Sequence, residues 1–94
     1  MGYRLSNEAK ADLARIYWHG VDRFGELKAS QYLDALIRRF GEIGDSALAF
    51  PAVDHIRAGY RRSVCGVDSI YYRVNGEAVE IMRILGRQDL ADSL

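Results

Sequence analysis

One cysteine, one proline and two histidines in 94 residues leave little room for several kinds of chemistry. A lone thiol, Cys65, excludes an internal disulfide and any multi-cysteine metal site, and in its apolar setting it reads as a small buried hydrophobe. His19 sits beside Trp18 and Gly20 at the end of a helix, and His55 sits in a loop, so neither stands beside a candidate nucleophile. No apolar run approaches the roughly 20 residues that span a bilayer. The opening Met1-Gly-Tyr-Arg-Leu-Ser has no apolar signal-peptide core, so the expected compartment is the cytoplasm, without a membrane partner. Neither a metal nor a cofactor is expected. What remains is a soluble globular chain, 49% hydrophobic and 28% charged, long enough for one domain over residues 1–94 and one modest core.

Net charge is also absent, but the charge is sorted. Residues 57–87 hold six arginines, Arg57, Arg61, Arg62, Arg73, Arg83 and Arg87, against the acids Asp68, Glu77 and Glu80. The rest of the chain compensates with an acidic excess. No lysine follows Lys28. Arginine presents a planar fork that matches carboxylates and phosphates and stacks on aromatics, so this choice over lysine points to a surface that holds something acidic. The candidate binding residues are those six arginines together with Tyr60. Glu8, Asp12 and Asp34, by contrast, are read as solvated charges on helix exteriors.

The pattern predicts a strand, two helices and a three-stranded meander. After an extended entry over residues 2–5, Ser6 is a helix cap with Glu8 in the first turn. Ala9, Leu13, Ile16, Tyr17 and Phe24 form one helical stripe, and Gly25 ends that helix. The second helix sets Ala29, Leu33, Leu36, Ile37, Phe40 and Ile43 inward until residues 44–46 stop it. A loop through Pro51 leads to a strand over residues 60–65. Asn75-Gly76 then marks a hairpin with a two-residue turn, which pairs Tyr72 with Val79 and Ile70 with Ile81. Gly66 marks the preceding turn, whose length leaves the facing of Arg61 and Arg62 open.

The fold class that follows is α+β: an N-terminal strand and an antiparallel helical hairpin packed on a mainly antiparallel four-stranded sheet, order 1-4-3-2. Counting directions element by element makes the last strand antiparallel to the first. Leu13, Ile16, Leu36, Phe40, Ile70, Tyr72, Val79 and Ile81 form the expected core.

Several segments together carry a resemblance. The entry Tyr3-Arg-Leu-Ser, the helix Ala11-Asp-Leu-Ala-Arg-Ile-Tyr, the Phe24-Gly break and the helix Gln31-Tyr-Leu-Asp-Ala-Leu stand in order. Ile56-Arg-Ala-Gly-Tyr-Arg-Arg, Tyr71-Tyr-Arg-Val and Val79-Glu-Ile-Met-Arg-Ile-Leu follow. In that order and spacing the chain resembles the ParE family of bacterial toxins, within the wider ParE/RelE superfamily. The resemblance implies the toxin of a type II toxin–antitoxin pair that inhibits DNA gyrase without catalysis. It also implies a ParD-like antitoxin whose C-terminal segment wraps the toxin, and no sequence-specific DNA binding by the toxin alone.

One departure supports an alternative. Where many ParE members read Leu-His after the last strand, this chain reads Leu85-Gly-Arg-Gln-Asp, closer to the RelE ending. A RelE-like, ribosome-dependent mRNA endoribonuclease would set Arg61, Arg83 and Arg87 on the scissile phosphate. Against it, no base is evident, and residues 50–59 contain Arg57 but none of the lysines that RelE-type sites carry there. A plain interaction domain is the third reading.

Overall fold

Ser6 starts the first helix by accepting the Ala9 N–H at 3.0 Å on its hydroxyl, which fixes where strand ends and helix begins. In the computed structural model, which describes residues 2–86, β1 is Gly2–Leu5, α1 is Asn7–Phe24 and α2 is Glu26–Asp45. A short 3₁₀ turn at Ala47–Ala49 precedes β2 (Arg61–Cys65), β3 (Asp68–Asn75) and β4 (Ala78–Gly86). The helices are joined by Gly25 alone, at φ 88°, a left-handed backbone that only glycine adopts cheaply. Such a short joint forces them together, and a Cβ on Gly20 would lie 3.3 Å from that of Ala29.

The helical hairpin covers one face of a four-stranded sheet of order β1-β4-β3-β2. Ala9 and Ile16 of α1 and Leu36, Phe40 and Ile43 of α2 meet Ile70, Tyr72, Val79, Ile81 and Ile84, all buried. Every expected core residue is buried except Leu13, which packs against the cluster while partly exposed. Tyr72 is fully enclosed and donates its hydroxyl to the Ala47 carbonyl at 2.6 Å, so its one polar atom is satisfied inside the core. Cys65 is buried as read, at the edge of the same cluster. Two residues of the expected helical stripes are not: Phe24, at the end of the first, and Ile37, within the second, lie on the surface.

Two pairing expectations are corrected. β1 runs parallel, not antiparallel, to β4. After α2, residues 51–53 run antiparallel to the start of β2, with an Ala52–Arg61 bridge and the Val53 N–H on the Tyr60 carbonyl at 2.8 Å. This extra extended segment makes one more reversal than the direction count allowed, and it flips every later strand. The hairpin register moves as well: Asn75 pairs with Ala78, Val74 with Val79 and Tyr72 with Ile81. Of the two turn residues expected to need positive φ, only Gly76 has it, so the turn centres on Gly76 and Glu77 rather than on Asn75-Gly76. A shift of this kind keeps each side chain on its face, which is why the core survives the change in partners.

β4 carries a bulge. Ile81 pairs with Tyr72 but Arg83 pairs with Tyr71, leaving Met82 as the extra residue. The alternation restarts there, so Val79, Ile81 and Ile84 all reach the helical side, while Leu85 and Met82 join a second cluster on the opposite face. That cluster, Val53, Tyr60, Tyr71 and Leu85 with Ile56, tucks residues 51–60 under the sheet. The arginine-bearing face is therefore partly covered by the chain itself, where the sequence suggested an open one.

Helical phase on α2 is testable by denaturant unfolding. Leu36→Ala is expected to lower stability by about 2–5 kcal/mol, and Ile37→Ala, one position on, by roughly 1 kcal/mol or less. Equal losses at the two positions would contradict this packing.

Candidate functional site

β1 covers β4 only as far as Ile81. Beyond it, the outer rim of β4 would face solvent with unpaired backbone, and α1 supplies side chains in place of a strand. Ser6 donates its hydroxyl to the Met82 carbonyl at 2.8 Å. The Ile84 N–H donates to Asp12 Oδ2 at 2.9 Å, and Arg15 Nη2 donates to the Ile84 carbonyl at 3.2 Å. Asp12 is closed from the other side by Arg83, whose Nε and Nη2 reach its two oxygens at 2.8 and 3.0 Å. The carboxylate is 4% exposed. This overturns the reading of Asp12 as a solvated charge. Its spacing was informative: Ala9, Asp12 and Ile16 share one helical stripe, and an acid on a buried stripe requires a cation.

Arg83 is thus committed within the fold. The other candidate arginines have different stations. Arg61 turns towards the helices, opposite Tyr72, and donates to the Phe50 carbonyl at 2.7 Å. Burial raises the Tyr72 hydroxyl pKa, and Arg61 offsets part of that rise. Arg62 takes the opposite face, opposite Tyr71, with its backbone N–H on the Pro51 carbonyl. Arg57 stacks 5.4 Å from the ring centroid of the buried Tyr60. Arg73 is exposed and donates to Glu80 at 2.9 Å. The hydrogen bond from Arg73, then that from Asn75, holds the Glu80 carboxyl below its ordinary pKa. Arg87 lies outside the described residues.

The structure therefore gathers Arg57, Tyr60, Arg62 and Arg73 around the sheet face away from the helices, and separates Arg61 from Arg83. These two sit on β2 and β4 with β3 between them, roughly 9–10 Å across the sheet, and reach to opposite rims. Arg61 and Arg83 do not form a shared phosphate clamp.

A cleft of about 780 Å³ opens between the two helices and the β2–β3 turn, lined by Arg15, His19, Lys28, Tyr32 and Asp68 among others. Tyr32 donates its hydroxyl to Asp68 Oδ2 at 2.7 Å and also lies 3.1 Å from the Cys65 carbonyl. Burial, then the hydrogen bond to Asp68, pushes the Tyr32 pKa up, so the ring is a neutral donor and not a base. Its ring rests on Gly66, where a Cβ would come within 2.5 Å. Arg39 closes the rim of β2, donating to Ser63 Oγ at 2.8 Å and to the Val64 carbonyl at 2.7 Å. Sequence reading missed Arg15, Tyr32 and Arg39, because each is a surface-compatible residue type whose sheet partner lies 24 or more positions away. Among the described residues no group of three or more His, Cys, Asp or Glu is arranged to hold a metal ion.

Comparison with known proteins gives one consistent result. The family model for the ParE toxin of type II toxin–antitoxin systems, parDE, matches residues 3–91. Toxin ParE1 of Caulobacter vibrioides is 39% identical over 83 residues, covering 88% of this chain and 85% of that protein. Toxin ParE1 of Mycobacterium tuberculosis is 36% identical over 84 residues, with 88% and 86% covered. Among solved structures, a chain of the chromosomal ParDE TA system from P. aeruginosa superposes with a TM-score of 0.82 at 25% identity, over 92% of this chain and 95% of that one.

The Asp12–Arg83 pair is testable by a double-mutant cycle in urea. Asp12→Ala is expected to cost about 3 kcal/mol or more, because it removes the two-point carboxylate from Arg83 and strands the Ile84 N–H. Asp12→Ala with Arg83→Met is expected to cost less than the two single losses summed. Strict additivity would show that the two side chains do not act as a unit.

Proposed function

The chain belongs to the ParE toxin family of type II toxin–antitoxin systems, and from that premise we propose a protein that inhibits DNA gyrase by binding and is silenced by a ParD-like antitoxin. The family match over residues 3–91 carries this reading. The separation of Arg61 from Arg83 supports it over a nuclease, since cleavage of RNA needs cations converging on one phosphate. Recognition needs only a surface.

In this reading the face away from the helices recognises acidic partners. Arg62 and Arg73 lie on it by strand alternation, with Arg57 stacked on Tyr60 at its margin. Tyr60 packs residues 51–60 against that face, Arg61 holds the Phe50 carbonyl from the helical side, and Arg87 is a further candidate in the sequence. The antitoxin brings acidic side chains to these arginines, and its extended C-terminal segment wraps the domain. Arg83 belongs to the frame of the fold. Its reversal is expected to act by unfolding the chain, whereas reversal of Arg62 leaves the fold intact.

Purified gyrase in a supercoiling assay, run beside an mRNA cleavage assay on translating ribosomes, tests the activity. Inhibition of supercoiling with mRNA left whole is the expected result. Cleavage of mRNA with supercoiling untouched would overturn the proposal. Arg62→Glu is expected to weaken antitoxin binding by about 2–5 kcal/mol if its guanidinium is desolvated in the complex, with an unchanged unfolding midpoint. Arg83→Glu is expected to lower that midpoint.

A further inference from the structure

The cleft between the two helices and the β2–β3 turn has no part in the toxin–antitoxin reading. It holds about 780 Å³, and sites for small molecules run to roughly 300–1,000 Å³. Its inner wall is small and apolar: Ile16, Gly20 and Ala29, where the two helices approach closely. Phe24 and Val67 also line it, 62% and 83% exposed, and neither joins a core cluster. Packing within the chain gives these two side chains no cover; a flat apolar body laid in the cleft would cover both. The polar lining is one-sided. Arg15, His19 and Lys28 bring two cations and a further ring N–H donor from the two helices. Arg15 commits Nη2 to the Ile84 carbonyl and the Asp12 carboxylate, while its side chain stays 50% exposed. His19 and Lys28 are exposed and have no hydrogen-bond or ion-pair partner among the described residues. The acid on the lining, Asp68, is buried and already accepts the Tyr32 hydroxyl at 2.7 Å.

We propose that this cleft binds a small organic phosphate, its charged group held by Arg15, His19 and Lys28 and its flat aromatic body laid against Phe24 and Val67. A phosphate monoester suits the cations better than a carboxylate does. It carries close to two charges and three strong acceptor oxygens, enough to meet Arg15 of α1 and Lys28 of α2 together. The aromatic body follows from Phe24 and His19, exposed rings on which a planar base stacks whatever its identity. Bound there, the ligand joins the two helices, and Arg15 links it to the rim of β4. A mononucleotide has this size and this chemistry. The inference goes beyond the toxin–antitoxin reading and needs neither an antitoxin nor gyrase.

Amide chemical shifts of the full chain, titrated with adenosine 5′-monophosphate, test the site. Changes at Gly20, Phe24, Lys28 and Val67 are expected, with a Kd of about 1 mM or below. Adenosine alone and inorganic phosphate alone are each expected to bind at least about tenfold more weakly, because each lacks one part of the recognition. Lys28→Glu is expected to weaken the nucleotide by about tenfold or more. Phe24→Ala is expected to weaken it by about fivefold and to leave inorganic phosphate unchanged. Both side chains are exposed, so neither variant is expected to move the unfolding midpoint. No change at the cleft up to about 10 mM nucleotide overturns the proposal. So does equal affinity for the nucleotide and either of its parts, or an affinity that Lys28→Glu leaves untouched. A 5′-phosphorylated oligonucleotide that binds the cleft more tightly than the mononucleotide would assign it to nucleic-acid ends, and the small-molecule assignment falls.

Discussion

The carboxylate of Asp12 fixes the first helix against the last strand through three groups at once. It accepts a backbone N–H from the last strand, a two-pronged guanidinium from that same strand, and a weaker approach from Arg15 on its own helix at 3.6 Å. Remove it, and the Ile84 N–H loses its acceptor, Arg83 loses a two-point carboxylate, and α1 is left with the contacts of Ser6 and Arg15 at that rim. The bulge at Met82 belongs to the same arrangement: the restarted alternation brings Arg83 towards α1 while Ile81 and Ile84 stay in the core. One buried ion pair and one bulge therefore do for this rim what an additional strand does in a longer protein.

Much of the fold was legible because its signals are local. The capping Ser6, the glycine break at Gly25 and the apolar stripes of the helices and strands depend on neighbours within a turn or a pleat. Strand direction was not legible, because it depends on parity over the whole chain. Residues 51–53 are too short and too ordinary to register as a strand, yet they reverse the chain once and so decide that β1 and β4 run parallel. The hairpin register failed for a related reason. Asn75-Gly76 names a turn correctly, but the backbone needs its positive φ only at the glycine.

The arginine cluster shows what composition can and cannot say about a site. Six arginines in a run were visible at once, and their common charge suggested a common purpose. Their actual stations follow from individual contacts at very different spacings: Arg83 with an acid 71 positions away, Arg61 with a carbonyl 11 positions away, Arg57 over the ring of Tyr60. Alternation on a strand sends adjacent cations such as Arg61 and Arg62 to opposite faces, so a charge count along the sequence overstates the charge of any one surface. The part of the cluster that shares one face, Arg57, Arg62 and Arg73 with Tyr60, is smaller than the run of six.

The parallel pairing of the first and last strands has a consequence for how the protein comes into being. β1 is made before the helices and its neighbour β4 after them, and the bond from Ser6 to Met82 closes a separation of 76 residues. The helical hairpin is local and forms contacts early, whereas the sheet that it must cover is incomplete until β4 has been made. A nascent chain interrupted anywhere before β4 lacks the central strand that both β1 and β3 need. Such a fragment cannot close the sheet, so the helical hairpin has no complete surface to cover until β4 is in place.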